Sequence, residues 1–378
     1  MKRKTSSPIV NIVCTLLFVV FAFLYLFCFQ GDLMKYAQHV LSEGMTVYNP
    51  LVGALIITPL LGVLSLISAR FLTQNLFFIP AIYHLPSILV LASMTDINIV
   101  EGSNEAVYGK TWIVSIVVFA LLLFVNRLVK DIPIKGNYTA GADVLRNLVL
   151  NLAVFLGMMT YLLSMANTSE MDHITLHQEE LIDQGRYEEA ALIGKKQSIA
   201  SPHLTTLRAY ALSRTNGIGE YFFEYPIEGN SDALLPSSDN PMLLAPERPI
   251  FKFVGGRPAE GISSKLCLQL LNWRGQLNSE ARDYLYLAFL LDKDIDGFVN
   301  CLVKDSVSTD SLPKHYREAL VLYKHQRIEP KIDFSTPEMQ ADYMDFEAMR
   351  KKNPVKVLRE NALRASYGNT YWYYYYKE

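Results

Sequence analysis

The sequence predicts an all-α membrane protein, with a five-helix transmembrane bundle followed by an extracytoplasmic helical-repeat domain. Three observations predict it. Five long apolar runs crowd into the first 165 residues. A polar stretch of comparable length follows, with no such run. Basic residues flank the apolar runs asymmetrically.

A bilayer core is crossed by about 20 predominantly apolar helical residues. Ile9–Phe29, Leu51–Ile67, Leu76–Met94, Thr111–Leu128 and Leu145–Met165 are such runs. Each is apolar all round, whereas an amphipathic surface helix keeps a polar face. The end of the first run, Phe27-Cys28-Phe29-Gln30, lacks the small-x-small pattern of a cleavage site, so the span is expected to be retained.

The flanking cations set the expected orientation. Lys2, Arg3 and Lys4 precede the first span, Arg70 follows the second, and Arg127, Lys130, Lys135 and Arg146 surround the fourth-to-fifth connection. The other two loops hold only Lys35 and Lys110, beside Asp32, Glu43, Asp96, Glu101 and Glu105. Cations gather on the cytoplasmic side. The N-terminus is therefore expected inside and everything after Met165 outside. The expected division is a transmembrane domain over 1–166 and an extracytoplasmic domain over 167–378, with an irregular insert over 225–261.

A net charge of -2 without a basic stripe argues against a nucleic-acid partner. The bilayer itself is the first expected partner. Cys14 and Cys28 read as small apolar residues of the first span. Cys267 and Cys301 fall where disulfides are permitted, but on separate helices, and are expected to stay unpaired. No motif calls for a cofactor.

Polar groups within spans point to function by default. His84 sits between Pro80 and Pro86, and Asn126 and Asn151 lie in or near the last two spans. No Asp, Glu, Lys or Arg lies deep in any span, which argues against a proton-driven pump or ion carrier. His84 is expected to stabilise a kink. In the first outer loop, Leu33, Tyr36, Ala37, Val40 and Leu41 fall at helical spacing and predict a short amphipathic helix. Asp32, His39 and Glu43 on or beside it are the acid–base candidates of an alternative reading. That reading is a membrane-surface enzyme of envelope glycan or lipid assembly. The plainer reading is a solvated interfacial helix.

Residues 170–224 have a helix-turn-helix texture. Gly185, Tyr187 and Ala190 match the turn and packing positions of a tetratricopeptide repeat, with Pro202 as its closing proline. Gly219 and Tyr221 recur 34 residues after Gly185 and Tyr187, the period of that repeat. The opening Trp-Leu-Gly pattern is missing, and Glu224 stands where a small residue belongs. Residues 225–261 hold six prolines and the Gly255-Gly256 pair, which exclude a long helix. Phe251, Phe253 and several leucines predict that this insert packs on the helices. Apolar stripes then resume at Leu266, Leu270 and Leu271, at Tyr284, Leu287, Ala288 and Leu291, and at Phe298, Cys301 and Leu302. Further helices are expected near 337–351 and 355–365.

Stacked helix pairs leave a concave face suited to a peptide or another protein. Leu207, Arg208, Tyr210 and Tyr221 are the candidates for that binding surface. His173, His177 and Glu180 share one helical face, a spacing that can hold zinc. A solvated face is the simpler account. The ending Tyr367-Gly-Asn-Thr-Tyr-Trp-Tyr-Tyr-Tyr-Tyr predicts a strand-like tail docked on the chain's own helices.

The loop string Tyr36-Ala-Gln-His-Val-Leu-Ser-Glu-Gly-Met-Thr-Val-Tyr-Asn-Pro, the stretch Leu204-Thr-Thr-Leu-Arg-Ala-Tyr-Ala-Leu-Ser and the aromatic ending resemble an uncharacterised family of Gram-negative bacterial membrane proteins. The resemblance implies several spans, a tetratricopeptide-like periplasmic part and an inner-membrane location. It implies no catalytic residues. The expected function is a non-enzymatic scaffold that binds an envelope protein or peptide.

Overall fold

The computed structural model describes residues 8–71, 79–99, 106–129, 142–195, 199–259, 261–352 and 354–377. Several residues used above lie outside the described ones: Lys2, Arg3, Lys4, Glu101, Glu105, Lys130, Lys135 and the start of the third apolar run at Leu76. The chain divides into two compact units, the first comprising residues 1–100 and 104–176, the second principally 177–378.

Unit 1 contains α1 (Pro8–Leu24), α2 (Gly31–Leu41), α3 (Pro50–Phe71), α4 (Leu85–Thr95), α5 (Thr111–Val129), α6 (Ala142–Met165) and the first part of α7 (Glu170–Asp183). Among the described residues, four helices are long and apolar enough to cross a membrane: Ile9–Phe29, Pro50–Phe71, Thr111–Leu128 and Leu145–Met165. The first includes a π-helical end, Tyr25–Phe29. The remaining apolar helix, Pro80–Thr95, is shorter. Pro80 and Pro86 explain its form: Pro80–His84 winds as a tight 3-10 turn, and Pro86 enters at the first turn of α4, where its missing N–H costs little.

Helix α1 shows how the bundle is built. Val10, Cys14, Phe18 and Ala22 recur every fourth residue and are buried with Ala54 and Leu61 of α3, Ile88 and Leu91 of α4, and Phe155, Met158 and Leu162 of α6. Ile9, Ile12 and Leu16 remain 63, 65 and 62 % exposed. An apolar residue left outside in this way suits a lipid solvent, which imposes no penalty on it.

The short helix Pro80–Thr95 is the most shielded of the set, and several of its polar groups bond to neighbouring segments. Asn151 Oδ1 accepts from the Ala81 N–H at 2.9 Å. The Ser65 and Ser87 hydroxyls lie 2.8 Å apart, and Ser87 donates to the Leu61 carbonyl. His84 Nδ1 lies 3.0 Å from Ser65 Oγ, and its ring stacks on Phe18. At the far end Thr95 Oγ1 meets the Tyr25 hydroxyl at 3.0 Å, and the Thr95 carbonyl accepts from the Asn167 N–H. One departure from an all-helical unit is a two-stranded antiparallel hairpin, β1 (Ile97–Ile99) with β2 (Ala106–Tyr108). Asp96 anchors it by accepting from the Thr111 N–H at the start of α5.

Unit 2 contains the rest of α7, then α8 (Tyr187–Leu192), α9 (Pro202–Arg214), α10 (Ile218–Tyr221), α11 (Arg248–Val254), α12 (Ser264–Trp273), α13 (Arg282–Leu291), α14 (Ile295–Lys304), α15 (Lys314–Gln326), α16 (Pro337–Lys352), α17 (Lys356–Tyr367) and α18 (Tyr371–Tyr376). Caps fix several starts: Ser201, Ser263, Asp294 and Thr370 each accept a backbone N–H of the first turn. Left-handed residues close the ends. Gly185, Asn216, Gly275, Lys293 and Ser306 all have positive φ. In each case the next N–H reaches back to a carbonyl near the helix end, Arg186 to Leu181 and Asp294 to Phe289 among them.

These ends revise the expected repeat. Helices α7 and α9 end at Asp183 and Arg214, and their left-handed residues are Gly185 and Asn216, so the local spacing is 31 residues. Gly219 is not the second turn glycine. It lies within α10, where an added Cβ would sit 2.7 Å from Pro313 Cβ and 2.9 Å from Tyr316 Cζ. Its smallness permits the close approach of α10 to α15. The second helices α8 and α10 have only 6 and 4 residues. Glu224 departs from the repeat pattern because it is engaged by Lys195 Nζ at 2.9 Å and Lys314 Nζ at 3.5 Å.

The irregular insert includes a short helix, α11, which the proline count obscured. It packs inward through Leu234, Leu235, Ile250, Phe253 and Val254, all buried. On α12 the buried stripe is Cys267, Leu268 and Leu271, whereas Leu266 is exposed. All four cysteines are free thiols.

Candidate functional site

Three of the four residues expected on the binding surface are core residues. Leu207, Arg208 and Tyr210 are 0, 2 and 3 % exposed, while Tyr221 is 46 % exposed. The reason is that α9 is buried along most of its length, Leu204 through Ser213. Arg208 spans the interior. Its guanidinium donates to the carbonyls of Pro226 at 2.7 Å and Ile199 at 3.3 Å, and lies over the Tyr225 ring. Burial lowers its pKa to about 10. Gly194 makes room for it: a Cβ there would lie 2.6 Å from Nη2. Arg208 thus fastens two loops rather than meeting a partner.

The proposed metal face on α7 is uneven. His177 is exposed, and His173 and Glu180 are half-buried. Glu180 accepts from Gln184 Nε2 at 3.0 Å. The residue that sequence reasoning missed is their neighbour Glu179, which is fully buried. Its carboxylate accepts from the backbone N–H groups of Leu243, Leu244 and Ala245 and is bonded to His203 Nε2. A buried carboxylate needs such partners. Glu179 holds the irregular insert against α7 and α9, and no local sequence signal separates it from Glu180.

The acid–base candidates on and beside α2 are spread out. Asp32 opens α2 and pairs with Lys35 at 3.5 Å. His39 lies seven residues further on, roughly 10 Å along the axis. Glu43 is exposed in the turn beyond, with φ 52°. An apolar cavity of about 540 Å³ does open in unit 1, among Leu64, Leu89, Trp112 and Phe119. Neither Asp32 nor Glu43 lines it, and it has no cationic lining residue.

The C-terminal segment is helical rather than strand-like, and it docks on its own unit. Tyr371 and Trp372 are 0 and 2 % exposed. Glu318 on α15 receives them: its Oε2 accepts from the Tyr371 N–H at 2.7 Å, and its carbonyl accepts from Trp372 Nε1 at 2.7 Å. The same oxygen accepts from His315 Nδ1 at 2.9 Å. A carboxylate can only accept, so Nδ1 carries the proton. Tyr371 and Tyr374 hydroxyls donate to the carbonyls of Leu290 and Leu291 at the end of α13. The consecutive tyrosines divide between walls: Tyr371 and Tyr374 face the end of α13, while the Tyr375 and Tyr376 hydroxyls meet Gln326 and Tyr343.

This docking builds a concavity of about 430 Å³ between the link of α13 to α14, the end of α16, α17 and α18. Among the described residues, five cations line it, Lys293, Arg350, Lys351, Arg359 and Lys377, with Tyr373, Tyr375 and Tyr376. Glu360 is the one acidic residue on the wall among the described residues. Glu347 outside it binds Arg350 in a fork, at 2.8 and 2.9 Å, and holds its pKa up. The Arg350 guanidinium lies 4.2 Å from the centre of the Tyr376 ring. Lys293 Nζ donates to the Lys377 carbonyl at 2.9 Å. Burial and then the nearby Lys377 charge lower the Lys293 pKa.

A family profile described as a family of unknown function (DUF6057) matches residues 263–378, a span that contains every residue of this concavity. No curated protein and no solved structure matches the chain. The chain is thus similar over its C-terminal third to a family without an assigned role, and it carries helices apolar enough for a membrane.

Proposed function

We propose that the chain is a multi-pass protein of the bacterial inner membrane. It crosses the bilayer five times with its N-terminus cytoplasmic, and carries unit 2 in the periplasm as a non-enzymatic module that binds an envelope component. The direction of Pro80–Thr95 supports the fifth crossing. Its start bonds Asn151 and its end meets Tyr25 and Asn167, so it runs the same way as α1 and α6. Five 3-10 residues and eleven α residues span roughly 26 Å, close to the ~30 Å hydrocarbon core. Surrounding helices can shelter the polar groups of such an element.

One observation carries the binding role. The face along α13 and α15 is closed by the chain's own α18, and the concavity left open is walled by cations and tyrosines. A photo-crosslinker placed at Lys351, which is exposed on the rim, is expected to capture an envelope component in intact cells. A crosslinker at Tyr221 serves as the comparison. Capture from neither position overturns the binding role. A green fluorescent protein fused after Lys377 is expected to stay dark, since it does not fold when exported unfolded, and bright cells overturn the orientation.

A further inference from the structure

We infer that the concavity in unit 2 is a binding site for a small, multiply charged oxyanion, a phosphate ester or polycarboxylate with a ring or apolar body. This rests on the reading of unit 2 as a binding module and names what it holds.

Lys293, Arg350, Lys351, Arg359 and Lys377 converge on one space, where Glu360 is the one acidic residue among the described lining residues and Glu347, outside it, pairs with Arg350 and Lys351. Asp292 and Asp294, on either side of Lys293 in sequence, both engage Lys265 at 3.1 Å instead. Lys293 meets the backbone at Lys377, so two like charges are held near each other without a carboxylate between them among the described residues. Like charges held near each other repel, and an anion between them relieves that repulsion.

Backbone geometry positions one of these charges. Lys293 occupies the left-handed position that ends α13, with φ 58°. Gly185 and Gly275 fill the matching positions of α7 and α12, where glycine incurs no strain, and Asn216 and Ser306 those of α9 and α14. A lysine there gives up that ease and places an ammonium at the cavity.

Size and lining select the ligand class. A volume of about 430 Å³ lies in the range of small-molecule sites. It is far roomier than a single inorganic ion requires. Arginine forks suit phosphate and carboxylate oxygens. The tyrosines offer ring faces for the body of the molecule.

The test uses the full chain purified in detergent, with pyrophosphate and citrate as probes in calorimetric titrations at low salt. Both probes are expected to bind, more weakly as salt rises. Lys293→Asn combined with Lys377→Ala keeps a residue that tolerates positive φ and removes two charges. The pair is expected to weaken binding about tenfold or more, with unchanged circular dichroism. Dihexanoyl phosphatidic acid separates the two sources of a phosphate: tighter binding than pyrophosphate identifies a lipid headgroup, weaker binding a soluble ester, and either supports the site. No binding of any probe by about 10 mM, or equal binding by the double variant, overturns the inference. Binding of polyglutamate alone overturns the small-ligand class while leaving the binding module standing. Successful crosslinking from Lys351 with no anion binding has that same meaning.

Discussion

The Glu318 carboxylate accepts the backbone N–H of Tyr371 at 2.7 Å, across 53 residues of chain. That bond joins α15 to the aromatic ending and closes unit 2. It is buried at both ends, and His315 shares the same oxygen.

Glu318→Ala therefore strands the His315 and Tyr371 donors in the interior. An unsatisfied buried group costs about 1–3 kcal/mol. A loss of about 3 kcal/mol in stability is expected, measured by urea unfolding of the detergent-solubilised chain. Trp372→Ala is expected to cost a similar or larger amount, about 3–5 kcal/mol, by leaving a cavity. An effect below about 0.5 kcal/mol for both would mean that α18 is not part of the core.

Gly219→Ala tests the approach of α10 to α15. In an open helix this change gains about 1 kcal/mol. Here the new methyl meets Pro313 and Tyr316 within 3 Å. Overpacking costs about 1–3 kcal/mol, so a net loss is expected where the helical preference alone gives a gain. A rise in the thermal midpoint would refute the close packing.

Glu224 gives a pH dependence with a defined sign. Burial tends to raise its pKa, but the bond from Lys195 and the charges of Lys195 and Lys314 outweigh burial and leave it lowered. A carboxylate lowered in the folded state stabilises above its unfolded pKa, and that contribution fades as pH falls through the folded value. The difference in stability between the parent chain and Glu224→Gln is thus expected to be present at neutral pH and to shrink in acid, below the ordinary glutamate range. A difference that grows on acidification would contradict the ion pairs.

Much of this architecture was legible in sequence because it rests on periodic patterns. The length and apolar character of α1 and the helices near 337–351 and 355–365 follow from sequence pattern alone, whereas the face of α1 that is buried does not, because the run is apolar all round. Patterns failed where long-range partners decide. Nothing near Glu179 distinguishes it from Glu180, since its partners lie at 203 and 243–245. Arg208 reads as a surface residue until the carbonyls of Pro226 and Ile199 are placed around it. Gly219 matches a repeat period, yet its role is set by Pro313, 94 residues away. The basic concavity joins positions from 293 to 377, and no local motif announces it.

The late position of Trp372 bears on how the molecule is made. Every residue of α13 and α15 leaves the ribosome before the indole that seals them, so their shared apolar surface stays open until synthesis has passed that point. A messenger cut short upstream would release a polypeptide whose interior cannot shut. Quality-control proteases should remove it quickly, and premature stop codons close to position 370 should lower steady-state abundance as severely as those hundreds of nucleotides earlier.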